Sequence, residues 1–185
     1  VELIRRAKAQ GQAITADVSI AHLCFTDTAV EGYSSQYHLQ PPLRAESDRQ
    51  ALIQGLADGT IDAICSAHQP HESAAKCAPF AATATGMATY DMFIPLVAQL
   101  LSTKQLTTQQ LVAALSTQPA HIAQTQVPSI AVGQVANFTL IDLQHQWQLD
   151  ADSQVSQGTN QALNLQQLTG RTRLTWNNGQ ISYNR

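Results

Sequence analysis

Residues 48–71 read DRQALIQGLADGTIDAICSAHQPH, and this stretch decides the fold class. Leu52, Ile53 and Leu56 share one face of a helix over 48–57, and the Asp58-Gly59 pair turns the chain. A short apolar run over 61–66 follows and reads as a strand. Upstream, residues 13–18 read as another short buried strand. Strand, helix and strand with short joints are the signature of a parallel sheet, so the chain is expected to be α/β. The polar connection from Thr26 to about Glu46 carries Gly32, Tyr33, Tyr37 and the Pro41-Pro42 pair. It is longer than most connections, which marks either a functional segment or missed structure.

Working outward, residues 1–10 place Val1, Leu3, Ile4 and Ala7 at helical spacing and stop at Gly11. The chain opens inside a helix with neither Met nor cap, so it reads as the tail of a longer protein. Downstream, Met87, Tyr90, Ile94, Val97 and Leu101 form a helical stripe suited to packing on a sheet. Leu106-Thr107-x-x-Gln110-Leu111 combines a capping box with a hydrophobic staple and starts a helix at Thr108; Pro119 can open another. From about Val127 the pattern turns to strands, at 138–141, 174–176 and 181–183. The last two are joined by a hairpin turn in which Asn178-Gly179 suits positive φ. The polar stretch 150–164 reads as a mobile connection. Two parts are therefore expected, 1–126 and 127–185.

Composition bounds the function. The 185 residues carry 10 Lys+Arg against 13 Asp+Glu, a net charge of −3, and are 44% apolar. That supports a folded core and argues against a nucleic-acid or acidic-membrane partner. No run approaches the ~20 apolar residues of a spanning helix, and nothing at the start reads as a signal peptide. Only 12% of residues are charged, about half the usual share, while 24 glutamines supply much of the polar surface. Cys24, Cys65 and Cys77 form no CxxC pair, which suits a reducing cytoplasm better than a disulfide framework.

In an α/β barrel reactive side chains gather at the carboxyl ends of strands, here after Val18 and over 67–71. His68 and His71 are three apart, far in sequence from His22 and His145, and read either as site residues or as packing and hydrogen-bonding histidines. The chain has no HxH or HExxH, whereas zinc needs three or four convergent ligands. A Cys65 nucleophile paired with His68 or His71 competes with Cys65 as a small hydrophobe inside a strand. Asp62 and Asp17 read as general acids or as residues bordering strands and loops. Arg44 suits an anionic substrate or a tie on the long loop. Asp48 reads as a helix N-cap with Arg49 its solvated neighbour, and Trp147 and Trp176 as core of the β part.

Several runs carry a resemblance: Tyr37-His38-Leu39-Gln40-Pro41-Pro42-Leu43-Arg44, Asp58-Gly59-Thr60-Ile61-Asp62-Ala63-Ile64, His68-Gln69-Pro70-His71-Glu72 and Ala78-Pro79-Phe80. Leu115-Ser116-Thr117-Gln118-Pro119-Ala120 and Ile130-Ala131-Val132-Gly133-x-x-Ala136-Asn137 continue it. In order and spacing the chain resembles the C-terminal part of dihydroorotases, members of the amidohydrolase superfamily. The resemblance implies the last part of a (β/α)8 TIM barrel, with strands 7 and 8 in 1–126, and strands of a composite β-sandwich in 127–185. It implies pyrimidine biosynthesis, where the family closes N-carbamoyl-aspartate to dihydroorotate on one or two zinc ions, each lowering the pKa of a bound water.

The family's eighth strand ends in Asp-His-Ala-Pro-His, whose Asp binds metal and shuttles the proton. Here that position is Ala67, which can do neither. The family's Asn before Pro-Pro-Leu-Arg is Gln40, while His71, which meets the substrate carboxylate, is kept. The resemblance thus implies no catalytic residue and no metal ligand in this chain, with Gln40, Arg44 and His71 as the remnant of a substrate pocket. The departures resemble the non-catalytic, dihydroorotase-like subunits that bind aspartate carbamoyltransferase catalytic chains, and imply a cytoplasmic, oligomeric partner of that enzyme. The alternative is an active zinc-dependent dihydroorotase of which this is a fragment.

Overall fold

The computed structural model describes residues 1–127 and 129–184. At its centre two short strands, β1 (Asp17–Ser19) and β2 (Ala63–Cys65), pair in parallel with Val18 opposite Ile64 and Ser19 opposite Cys65. Between them run α2 (Ile20–Cys24), a long connection with 3-10 turns at Asp27–Val30 and Ser35–Tyr37, and α3 (Glu46–Ala57). The expected strand–helix–strand unit is present. Its first strand is shorter and later than the apolar run 13–18 suggests, and residues 13–16 are irregular. The helix α2 is an addition to that reading. Ser19 caps it, its hydroxyl accepting the Ala21 N–H at 3.2 Å, and Ile20 and Leu23 are fully buried.

The helix α1 (Glu2–Ala9) lies against this unit through Lys8, whose ammonium reaches both Asp62 carboxylate oxygens at 2.7 Å. Asp62 also accepts the Ala16 N–H, so it borders its strand as one of its two readings holds. Asp48 and Arg49 depart from expectation. The helix α3 begins two residues earlier, at Glu46, with Ala45 in the cap position. Arg49 is turned inward, donating to the Leu23 carbonyl, to Gln105 and to Glu46. Glu46, held by Arg49 first and Gln50 second, is pulled down to about 2.

The remaining helices are α4 (Tyr90–Ser102), α5 (Thr108–Val112) and α6 (Gln118–Ile122), with a π-turn over Ala113–Thr117 between the last two. The capping box forms as expected, with Thr107 N–H on Gln110 Oε1 at 2.8 Å and Gln110 N–H on Thr107 Oγ1 at 3.3 Å. The apolar face of α4 differs from the expected stripe. Met92, Leu96 and Leu100 face inward, while Tyr90 is 63% exposed. Tyr90 instead stacks on His68 at 3.8 Å between ring centroids. The start of α4 is capped from outside the helix: His68 Nδ1 accepts the N–H groups of Thr89 at 3.0 Å and Tyr90 at 3.2 Å. Two N–H donors on one ring nitrogen leave the imidazole neutral with its proton on Nε2. Burial accordingly holds His68 below its ordinary 6.5, against the opposing pull of Asp91.

Three antiparallel strands follow in the order β3 (Phe138–Gln148), β4 (Gln167–Asn177), β5 (Gln180–Asn184). Asn178 and Gly179 both take positive φ in the β4–β5 turn, at 49° and 78°. The connection 149–166, read from its polarity as mobile, is hydrogen-bonded to the rest of the chain at several points. Leu149 and Leu168 at its ends are buried in the same hydrophobic cluster as Ile20, Ile64 and Met92, and Asn160 and Gln161 are buried polar residues along it. Trp147 packs against that shared core, whereas Trp176 stays half-buried on the sheet, stacked with Phe138. Beyond them Phe138, Leu140 and Ile181 remain 39%, 57% and 52% exposed. Among the described residues no helix is long and apolar enough to cross a membrane.

Two outcomes follow from this packing. Leu149→Ala empties a fully buried position that joins sheet and helices, and should cost about 2–5 kcal/mol. Fluorescence and circular dichroism should report that loss as one coincident urea transition; separate transitions would show that the sheet folds on its own. For His68, the folded pKa lies below the unfolded value, so the unfolded chain binds the proton first. Its contribution is complete above pH ~6.5 and is lost as pH falls below it. The urea midpoint should drop between pH 7.5 and 5.5 in the wild type and drop less in His68→Asn, whose side-chain oxygen accepts at any pH.

Candidate active site

Parallel strands deliver their carboxyl ends to one side, and the residues just beyond them are placed side by side. Ser19 and Cys65 end β1 and β2 in register, so α2 and the loop 66–71 start as neighbours. Between them lies a cavity of about 60 Å³ lined by Ser19, His22, Gln40, Ala67, Gln69 and Thr89 among others. Ala67 stands in its wall, exposed, with a φ of 46°. That left-handed conformation is uncommon for residues with a side chain and best tolerated by Asn and Asp. A methyl group there neither ligates a metal nor moves a proton.

Gln40 lines this cavity and also a larger hollow of about 470 Å³ that holds Tyr37, His38, Phe80 and Thr85. The rings of His38 and Phe80 lie 4.5 Å apart there. His71 sits just behind, its Nε2 donating to the Thr85 carbonyl at 2.9 Å and its main-chain N–H to Asn160 Oδ1 at 2.7 Å. Arg44 is elsewhere. It is exposed, 3.7 Å from Asp48, and lines a separate groove with Val1, Glu2 and Arg5. Its carbonyl accepts the Asp27 N–H, so of its two readings the tie on the long loop is the one the geometry meets. The structure thus unites Ala67 and Gln40, sets His71 next to them and leaves Arg44 apart.

Nucleophilic and metal chemistry find little to work with. Burial first, then the Asp17 carboxylate beside it, push the Cys65 thiol up to about 11, and burial pushes Cys24 to about 12. Neither thiol ionises appreciably at neutral pH. Ser156 Oγ lies 3.4 Å from His68 Nε2, yet that nitrogen already carries the proton and cannot act as the serine's base. Among the described residues no group of three or more His, Cys, Asp or Glu converges to hold a metal. The side chains present around Ala67 therefore do not by themselves fit a zinc centre.

Sequence reasoning missed three polar groups that shape this region. Asp91 accepts the N–H groups of Val155 and Ser156 and the Gln161 amide. Lys76 is 6% exposed and donates to the Ala84 and Gly86 carbonyls. Asn160 is fully buried. Only Asp91 left a sequence signal, an acidic residue in the first turn of a helix.

Comparison with known proteins gives the frame for this geometry. A dihydroorotase-like protein of Pseudomonas aeruginosa is 40% identical over 183 residues, 99% of this chain and 43% of that protein. A dihydroorotase of Geobacter is 34% identical over 181 residues, again 43% of its length. The chain thus spans less than half of these relatives. Among solved structures, a D-hydantoinase (dihydropyrimidinase) from Thermus superposes with a TM-score of 0.85 at 23% identity, covering 99% of this chain and 42% of that one. That likeness shows the fold, part of a TIM barrel with its adjoining sheet. The sequence profile of the amidohydrolase family matches residues 4–181, and this chain belongs to that family.

Proposed function

We propose that the chain is the C-terminal portion of a dihydroorotase-like protein of pyrimidine biosynthesis whose barrel performs no chemistry. In this reading 1–126 belongs to the barrel and 127–185 to the accompanying β-sandwich. The protein is cytoplasmic and oligomeric, and serves as a structural or regulatory partner of aspartate carbamoyltransferase catalytic chains. The observation that carries it is Ala67, placed at the carboxyl end of β2 in the wall of the cavity it shares with Gln40. Gln40, His71 and Arg44 are then remnants of a substrate pocket. The second reading, an active zinc-dependent dihydroorotase, is favoured by the 34% identity to a dihydroorotase over nearly the whole chain. It needs its metal ligands from the part of the protein outside this chain, and another group in place of the missing carboxylate.

The test compares the intact protein with its Ala67→Asp variant for zinc content and dihydroorotate hydrolysis. The wild type is expected to hold no stoichiometric zinc, to show no turnover and to co-elute with aspartate carbamoyltransferase catalytic chains. Zinc-dependent turnover with Ala67 in place would sink the inactive reading, and failure to co-elute would sink the partner reading. The φ at position 67 already suits Asp, so the substitution should change stability by no more than ~0.5 kcal/mol. The 185-residue chain alone, with an unpaired edge on each strand of its parallel pair and exposed Phe138, Leu140 and Ile181, should self-associate in sedimentation. A stable monomer would contradict that.

A further inference from the structure

The connection between β3 and β4 contains the most deeply buried polar side chain of the described residues, Asn160, at 0% exposure. Its carboxamide joins the loop that leads away from Ala67 to the Gly86 carbonyl. The Oδ1 atom accepts the His71 N–H at 2.7 Å, and Nδ2 donates to the Gln69 carbonyl at 2.9 Å and the Gly86 carbonyl at 3.1 Å. On either side the backbone adds to it: Thr159 N–H reaches the His71 carbonyl at 2.9 Å, and Ala88 N–H the Asn160 carbonyl at 3.0 Å. The fit leaves no slack. A Cβ added at Gly158 would lie 2.5 Å from Pro70 Cβ, and one at Gly86 would lie 2.6 Å from Gln69 Oε1.

We propose that Asn160 is the positioning residue for the loop 69–71, holding that loop's backbone path from the segment that precedes β4. The proposal gives the loop its importance through the site reading above, while its test reads the loop itself, so either can fail without the other. A carboxamide is the side chain this task requires, because it must accept from one N–H and donate to two carbonyls in a dry setting. An aspartate keeps the acceptor, loses both donors and turns negative charge toward two carbonyl oxygens. A leucine fills similar space, orphans the His71 N–H and the Gln69 carbonyl, and leaves the Gly86 carbonyl to Lys76 alone. The His71 ring depends on the same anchor: its main-chain N–H is held by Asn160, and its Nε2 reaches Thr85 next to Gly86.

The experiment is amide hydrogen exchange and ¹⁵N-histidine spectroscopy on the intact protein, in the wild type, Asn160→Asp and Asn160→Leu. In the wild type the His71 N–H and the Asn160 side-chain protons should be protected to within about threefold of one another. In both variants protection at His71 should fall at least tenfold, and the His71 Nε2 resonance should lose its hydrogen-bonded shift. Amides of α4 near Leu96 should change less than threefold. An equal loss in α4 and the loop would make Asn160 a general stabiliser and overturn the proposal, as would unchanged protection at His71. If neither variant folds, the wild type decides: coupled protection of the two sites upholds the proposal, and an unprotected His71 N–H overturns it.

Discussion

Two strands of three residues cannot hold a sheet by themselves, so the whole chain depends on what is packed onto the single parallel pair β1–β2. Val18 and Ile64 stand opposite one another and are buried, and every helix that covers them must also close its own apolar face. The helices α2 and α4 do this with Ile20, Leu23, Met92 and Leu96, none more than 1% exposed. The sheet that follows supplies the rest of the cover, through Leu149 and Leu168. Hydrophobic burial here is shared across segments far apart in sequence, and a change at one end of the chain is felt at the other. The ion pair of Lys8 with Asp62 completes this arrangement at the edge of β2, where a half-buried carboxylate would otherwise lack its cation.

The same economy governs the polar groups beside the cavity. Histidine, lysine and aspartate are the residues enzymes use for proton transfer, and this loop region contains all three. Each is committed to backbone. His68 caps the start of α4, His71 reaches Thr85, Lys76 closes onto two carbonyls, and Asp91 gathers the N–H groups of the β3–β4 connection. Desolvation lowers the proton affinity of Lys76, yet two carbonyl acceptors at 2.7 and 2.8 Å use its N–H donors where they stand. A group that holds two backbone segments together cannot also swing toward a substrate without releasing them.

What could be read from the sequence was what repeats with a period. The helix over 48–57 follows 3.6-residue spacing, the Thr107–Gln110 box is a local exchange of two hydrogen bonds, and Asn178-Gly179 announces its own turn. The helix α2 escaped because five residues are too few to show a period and nearly all of them are apolar. The stripe on α4 was displaced because Tyr90 looks like a core residue and instead stacks on His68 at the surface. The burial within the connection 150–164 was hidden for a deeper reason. Its residues are polar, and polarity in sequence signals solvent unless the partners are known; Asn160 and Gln161 are buried because distant groups receive them, the Gln69 carbonyl and the Asp91 carboxylate. At the site, position 67 acquired its meaning from the resemblance alone, and nothing in the local pattern foretold its left-handed backbone.

That backbone bears on the proposed reading, in which Ala67 stands where the family carries a carboxylate. In a metal centre the ion itself crosslinks the strand ends, and the loops that carry its ligands rely on it for their shape. In this chain the loop after β2 is crosslinked from within the protein, by the Asn160 carboxamide and by the bonds that Lys76 and Thr159 make around it. The loop's path is thus tied by bonds within the protein, and Ala67 takes its φ of 46° beside them. Alanine at 67 bears the small conformational cost of that left-handed backbone. The residues that tie this strand end are distinct from position 67, where the proposed function locates the lost chemistry, and that separation is the condition under which chemistry can be lost while the fold, and any surface that depends on it, remains.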